Sequence, residues 1–313
     1  MRRMSYCILN FVLFANWFPL RETDLTPFYF CWKQINTAIY GNVMTVPRQD
    51  LLVVFLGSIV FFGSTYQLTK SLLQKLIQRD GFALEPKHLS ILVSHGPSYA
   101  CSMIHSFITG YRGIMDSIGL YGASPETKLF FPPTPKEYIP FIRSVALTNA
   151  FFFAYLAQDL FHVVRMYPKL GGIDIVVHHL VFMTCSLING GFQILPYPFT
   201  WLILGELSTI FLNIRWLLIK TGRGRTLLFQ IIQSLFALTF FLTRVVIYSF
   251  GVMELFQQRD LLKGMVADGR VPGIFMVITL SFVGAGSALN LVWFQKIAAM
   301  VISKQSKKET KSS

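Results

Sequence analysis

Residues 175–195 read IVVHHLVFMTCSLINGGFQIL and contain no Asp, Glu, Lys or Arg. About 20 apolar residues suffice for a helix to cross a hydrocarbon core of about 30 Å, so Ile175–Leu195 reads as a membrane span. Three further stretches are equally free of charge: Leu51–Leu68, Leu89–Tyr111 and Val271–Gln295. Three more carry only isolated charges: Phe141–Val163 with Arg143 and Asp159, Pro198–Ile219 with Glu206 and Arg215, and Thr226–Val252 with Arg244. The expected fold is therefore all-α, a polytopic transmembrane helical bundle of about seven spans.

Composition agrees. Of 313 residues, 53% are hydrophobic and only 14% charged, against about 25% charged in an average soluble protein. So few charges cannot cover a soluble surface, which excludes a soluble enzyme and a disordered chain. The net charge of +13 invites a nucleic-acid reading, but the Lys and Arg fall between apolar runs and form no basic face, so no nucleic-acid partner is expected.

Loop charge gives an orientation, because cytoplasmic loops carry the excess of Lys and Arg. One set of alternating loops holds Lys70, Lys75, Arg79, Lys87, Arg165, Lys169, Lys220, Arg223, Arg225, Lys304, Lys307, Lys308 and Lys311. The other holds Arg112, Lys128, Lys136, Arg259, Lys263 and Arg270, interleaved with Asp116, Glu126, Glu137, Glu254, Asp260 and Asp268. The richer set is assigned to the cytoplasm, and with it the C-terminus. Ahead of the spans, Ser5–Leu20 is apolar behind Arg2 and Arg3 and lacks a small-residue cleavage pattern, so it reads as a retained signal-anchor segment. The expected organisation is an N-terminal segment and non-cytoplasmic stretch (1–50), a first certain span with its cytoplasmic loop (51–86), a six-helix domain (87–303) and a basic cytoplasmic tail (304–313). Cys7, Cys31, Cys101 and Cys185 form no CxxC pair, so neither a disulfide framework nor a zinc site is expected.

Ionisable groups inside a span are costly, about 2.5–3.5 kcal/mol on insertion scales, and tend to face a cavity or a partner. At about 1.5 Å per residue, Asp159, His162, His178, His179, Asn213, Arg215 and Asn290 all fall near the cytoplasmic ends of their spans. His105, Glu206 and Arg244 form a second group in the outer half. Glu206 and Asn213 share a helix face, whereas Glu206 and Arg215 are about half a turn out of phase. Depth thus pairs Arg215 with Asp159, and Glu206 with Arg244.

Two readings of the inner group stand side by side. It forms a polar chamber in which His178, His179 and Asp159 are candidate catalytic residues for acyl transfer, with Asn and Arg to stabilise an oxyanion. Alternatively, these groups only tie helices together at about 0.6 kcal/mol per contact. The imidazoles of adjacent His178 and His179 diverge by about 100°, so no metal is assigned to them.

Four stretches carry a resemblance to a known family. Ser102-Met103-Ile104-His105-Ser106 matches an S-x-x-H-S pattern, Tyr155–Leu160 is an aromatic-led stretch ending in Asp159-Leu160, and His178-His179 is a paired histidine. Glu206–Trp216 reads ELSTIFLNIRW, similar to an E-L-S-x-x-F-x-N-x-R-W run. Together they resemble the TLC-domain family, which includes the ceramide synthases, over about Lys87 to Val301. The stretch after Arg215 reads WLLIKTGR and holds none of the acidic residues that follow in ceramide synthases, and no homeobox-like segment fits the short inside loops. The likeness is therefore greatest to the small non-synthase members. It implies a multi-pass endoplasmic reticulum protein of lipid homeostasis that binds, transports or regulates a membrane lipid, a sphingolipid or phospholipid, without a bound cofactor. The alternative it implies is an acyltransferase of ceramide-synthase type, with acyl-CoA as co-substrate. A proton- or ion-coupled transporter is a third reading from the buried acids and histidines.

Overall fold

The computed structural model describes residues 46–78, 86–130 and 134–309. The Ser5–Leu20 segment, Cys7, Cys31 and Arg79 lie outside the described residues, as does the end of the tail beyond Glu309. Each uncharged run becomes a helix. The helices are α1 (Arg48–Gln78), α2 (Pro86–Leu120), the short α3 (Pro125–Leu129), α4 (Ile139–Arg165) and α5 (Ile173–Phe192). They are followed by α6 (Pro196–Leu204), α7 (Glu206–Lys220), α8 (Leu227–Phe240), α9 (Tyr248–Gln257), α10 (Arg259–Ala267) and α11 (Gly273–Glu309). Among the described residues there is no strand, only a single bridge between Phe130 and Ile194.

Local chemistry sets the boundaries. Pro196 opens α6 at its first turn, where a missing N–H costs nothing. Ser124 caps α3 by accepting from the Thr127 amide, and Thr226 caps α8 by accepting from Phe229. Helix α5 stops at Phe192 because Gln193 turns left-handed, with φ 49°, so it ends three residues before the expected Leu195.

Six helical segments are long and apolar enough to cross a membrane: Arg48–Gln78, Lys136–Arg165, Ile173–Phe192, Pro196–Lys220, Leu227–Gln257 and Gly273–Ala299. The seventh expected span, Leu89–Tyr111, lies within α2, which is 35 residues long but less apolar. The reason is its position. α2 packs against α1, α4, α6 and α7, and Ser98, His105, Ser106, Thr109 and Asp116 are all buried there. Asp116, assigned from sequence to an outer loop, is a helix residue with no exposure, because α2 runs on to Leu120.

The helix contacts close a ring: α2 touches α4, α4 touches α5, and α5 touches α11. α11 then meets α8, α9 and the segment between them, and those meet α7 and α6, which return to α2. Helix α1 lies against α2 and α4, outside this ring, and is the least buried of the spans at 11%. Outward faces carry Val60, Phe107, Phe161, Phe250 and Val277, all exposed. In a membrane these face acyl chains, so packing and polar contacts, rather than expulsion of water, must hold the helices together.

Two spans are irregular. The fifth of the apolar segments above breaks from α-helix into a π-helix over Phe241–Ile247, between α8 and α9. The fourth is interrupted at Gly205, between α6 and α7.

Small residues permit close approach elsewhere. Trp201 of α6 is buried and meets Tyr248 edge-on at 5.1 Å, and the Tyr248 hydroxyl donates to the Val283 carbonyl at 2.9 Å. A Cβ at Gly251 would lie 2.4 Å from the Trp201 ring. Gly251→Ala is accordingly expected to destabilise the protein by about 1–3 kcal/mol, the usual range for overpacking a tight contact. Thermal unfolding in detergent measures this, and an unchanged midpoint would count against the Trp201 wedge.

Candidate functional site

The hairpin of α4 and α5 sets Asp159 opposite His179. The His179 Nε2 is 3.0 Å from Asp159 Oδ2, and its Nδ1 is 2.8 Å from the Ile175 carbonyl one turn earlier. A carboxylate and a carbonyl both only accept. The pair therefore holds two protons, either as imidazolium and carboxylate or as imidazole and carboxylic acid. Either way, both nitrogens of His179 are committed. His178 differs: its ring meets His179 edge-on at 5.7 Å, Phe182 at 4.6 Å and Trp293 of α11 at 6.3 Å. Among the described residues its nitrogens make no hydrogen bond, so of the adjacent pair His178 is the one with a free nitrogen; both ring nitrogens of buried His105 are likewise unpartnered there.

Arg244 lies in the π-helical segment, and the irregularity of each span serves the other. Its Nε donates to the Gly205 carbonyl at 3.0 Å and to Ser208 Oγ at 3.1 Å, while an Nη2 reaches Glu206 Oε1 at 3.1 Å and Thr209 Oγ1 at 3.3 Å. The guanidinium thus occupies the break between α6 and α7, where a carbonyl would otherwise lack part of its helical bonding. A Cβ at Gly205 would come within 3.2 Å of Arg244 Cγ, so a larger residue there would press on the side chain. Both members of the Glu206–Arg244 pair are largely buried, 14% and 13% exposed, so this is not a surface ion pair of marginal worth.

His105 of α2 is buried and lies flat on Tyr155 at 3.7 Å, with Phe152 beside it. Three residues before His105 on α2, Ser102 Oγ accepts from Asn213 Nδ2 of α7 at 3.0 Å. Asn290 is buried on α11.

Two sequence-derived candidates face elsewhere. His162 stacks on Tyr66 of α1 at 3.8 Å, outside the ring. Arg215 places its guanidinium over the Phe229 ring of α8 at 5.8 Å, so the expected Arg215–Asp159 pairing is replaced by Asp159–His179. The expected Glu206–Arg244 pairing is present.

Other polar links carry no motif. Asn149 Nδ2 donates to the Ser186 carbonyl at 2.9 Å, and Ser186 Oγ returns a bond to Asn149 Oδ1 at 2.6 Å, which fastens α4 to α5. Asp116 accepts from Arg112 at 2.7 Å and from Ser144 at 2.8 Å, linking α2 to α4. The signal for the first was a small polar residue on each of two successive spans. Among the described residues no group of three or more His, Cys, Asp or Glu could hold a metal ion.

A ring of apolar helices with an acid–imidazole pair and a buried ion pair inside it defines a polytopic integral membrane protein with a polar interior. Residues 98–299 match the model of the TLC domain, and the chain belongs to the TLC-domain family. It is similar to TLC domain-containing protein 4-A of Xenopus laevis, 29% identical over 147 residues, or 46% of this chain and 55% of the relative. It is also similar to TLC domain-containing protein 4 of Xenopus tropicalis, 29% identical over 147 residues, covering 46% of this chain and 54% of that protein. The match thus spans about half the length of these curated relatives.

Proposed function

We propose that this protein binds a membrane lipid, a sphingolipid or phospholipid, at the polar set inside its helical ring, and so governs the lipid composition of its membrane. The observation that carries the reading is the conjunction of Asp159–His179 and Glu206–Arg244 with an imidazole, His178, that makes no hydrogen bond among the described residues, inside walls that are apolar outward. Ionisable groups kept at such cost within spans mark a working site, and an amphiphile is the ligand that meets both the polar interior and the apolar surround. Family and loop charge support placement in the endoplasmic reticulum with the C-terminus in the cytoplasm.

A second reading is acyl-CoA-dependent acyl transfer, favoured by the Asp159–His179 contact of 3.0 Å. Here His179 is held by Asp159 and the Ile175 carbonyl, and His178, with its free nitrogen, is the general base or acyl carrier.

One experiment separates the readings. Membranes expressing the wild type or the His178→Ala, His179→Ala double variant are compared for lipid profile and for acyl transfer from acyl-CoA. The expected result is a lipid profile shifted by the wild type and returned to baseline by the double variant, at similar protein abundance. Acyl transfer present in the wild type and abolished by the double variant selects the enzyme. A wild-type profile indistinguishable from the empty membrane removes both readings.

A further inference from the structure

A separate cleft of about 430 Å³ opens between α2 and α4, away from the histidine pair. Its polar lining is Arg112, Arg143, Ser144 and Thr148, and its apolar lining includes Ile108, Leu147 and Phe151. Arg112 lies toward the end of α2 and Arg143 at the start of α4, so both stand near one boundary of the bundle. From Arg143 to Phe151 the cleft wall descends eight residues, about 12 Å at ~1.5 Å each. That is most of one leaflet's hydrocarbon, about half of ~30 Å.

The arginines retain donors. Arg112 uses Nη2 for Asp116 and Ser144, and Arg143 uses Nη2 for Asp50 at 2.9 Å. A guanidinium has five N–H donors, so among the described residues Nε and Nη1 of each are uncommitted. Asp116 is fully buried and holds Arg112 from behind, whereas the Arg143 side chain is 56% exposed and can swing. Two guanidiniums beside an apolar slot form a head-and-tail receptor.

We propose that this cleft binds one glycerophospholipid, its phosphate held by Arg112 and Arg143 and an acyl chain laid along Ile108, Leu147 and Phe151. The volume is at the low end for a ligand pocket, so it takes the phosphate and the upper part of one chain, with the rest of the lipid in the bilayer. Two cations are balanced by two carboxylates, Asp116 and Asp50. With no surplus positive charge, the cleft favours a zwitterionic headgroup over one with additional negative charge. The site is independent of the interior reading, since it uses none of those residues.

The test uses the full chain in nanodiscs of phosphatidylcholine carrying a photoreactive group near the top of one acyl chain, with labelled peptides mapped by mass spectrometry. Label is expected on the cleft segments of α2 and α4, falling about tenfold in Arg143→Glu and also in Leu147→Trp, which fills the slot. Arg143→Lys, which keeps the charge but loses the planar fork, should fall less. Monodispersity on gel filtration confirms folding of each variant, and Leu147→Trp retains every charge if Arg143→Glu perturbs Asp50. Cleft labelling unchanged in both Arg143→Glu and Leu147→Trp overturns the proposal. So does equal competition by free inorganic phosphate, which would make the occupant a soluble anion, or cross-linking of the cleft to residues 1–45 of the chain in place of lipid. A phosphatidylserine probe labelling tenfold better than phosphatidylcholine overturns the zwitterionic assignment.

Discussion

Arg244→Met is expected to cost about 3–5 kcal/mol of stability, the range for removing one partner of a buried ion pair. It strands the Glu206 carboxylate, which is 14% exposed. It also removes a donor from the Gly205 carbonyl at the break between α6 and α7. If these contacts were ordinary interhelical hydrogen bonds, the loss would be nearer 0.6 kcal/mol each, so the size of the effect distinguishes the two accounts. Adding Glu206→Gln to Arg244→Met should recover half or more of the loss, because the second change removes the stranded charge. Thermal unfolding and the monodisperse fraction in detergent report both. An Arg244→Met protein within 1 kcal/mol of wild type, or a double variant no better than the single, would sink the argument.

The second large effect is functional. Asp159→Asn is expected to leave stability within about 1 kcal/mol of wild type, the net scale of one hydrogen bond. The introduced amide can donate to His179 Nε2 while Nδ1–H still donates to Ile175, so both bonds survive. Asp159→Leu leaves Nε2 buried and unpaired, at about 1–3 kcal/mol. Both variants lose the carboxylate, and the effect on membrane lipid composition should fall by about tenfold or more, at the lower end of what a positioned acid–base group supplies. Asp159→Asn with undiminished lipid effect would show that the carboxylate only fastens α4 to α5. Matched abundance of the two variants is the control.

The spans were legible because an uncharged run of membrane length has few alternatives. What it could not convey was azimuth. Depth alone paired Glu206 with Arg244 correctly, since the spans bearing them pack side by side. Depth alone also paired Asp159 with Arg215, and there it failed. α4 and α5 form a short-looped hairpin, so His179 is the polar group nearest Asp159, while Arg215 turns toward α8 and Phe229. The π-helix at Phe241–Ile247 left no mark in composition, and the break at Gly205 left only a glycine, because the contact of Arg244 with the Gly205 carbonyl that joins them is tertiary. Asp116 was misread for a related reason: a charge beyond Tyr111 looks like a loop until α1, α4 and α6 cover that face of the helix.

The Glu206–Arg244 pair also bears on how the chain enters a membrane. Synthesis delivers the span with Glu206 first, and Arg244 follows 38 residues later. Until then the carboxylate must wait without its partner, protonated or close to the translocon's aqueous side, and each charge alone carries the full insertion penalty. The two spans are thus expected to leave the translocon together, as a helical hairpin already joined by its ion pair. Biogenesis of this protein then has a step at which pairing lowers the cost of holding both spans in the bilayer.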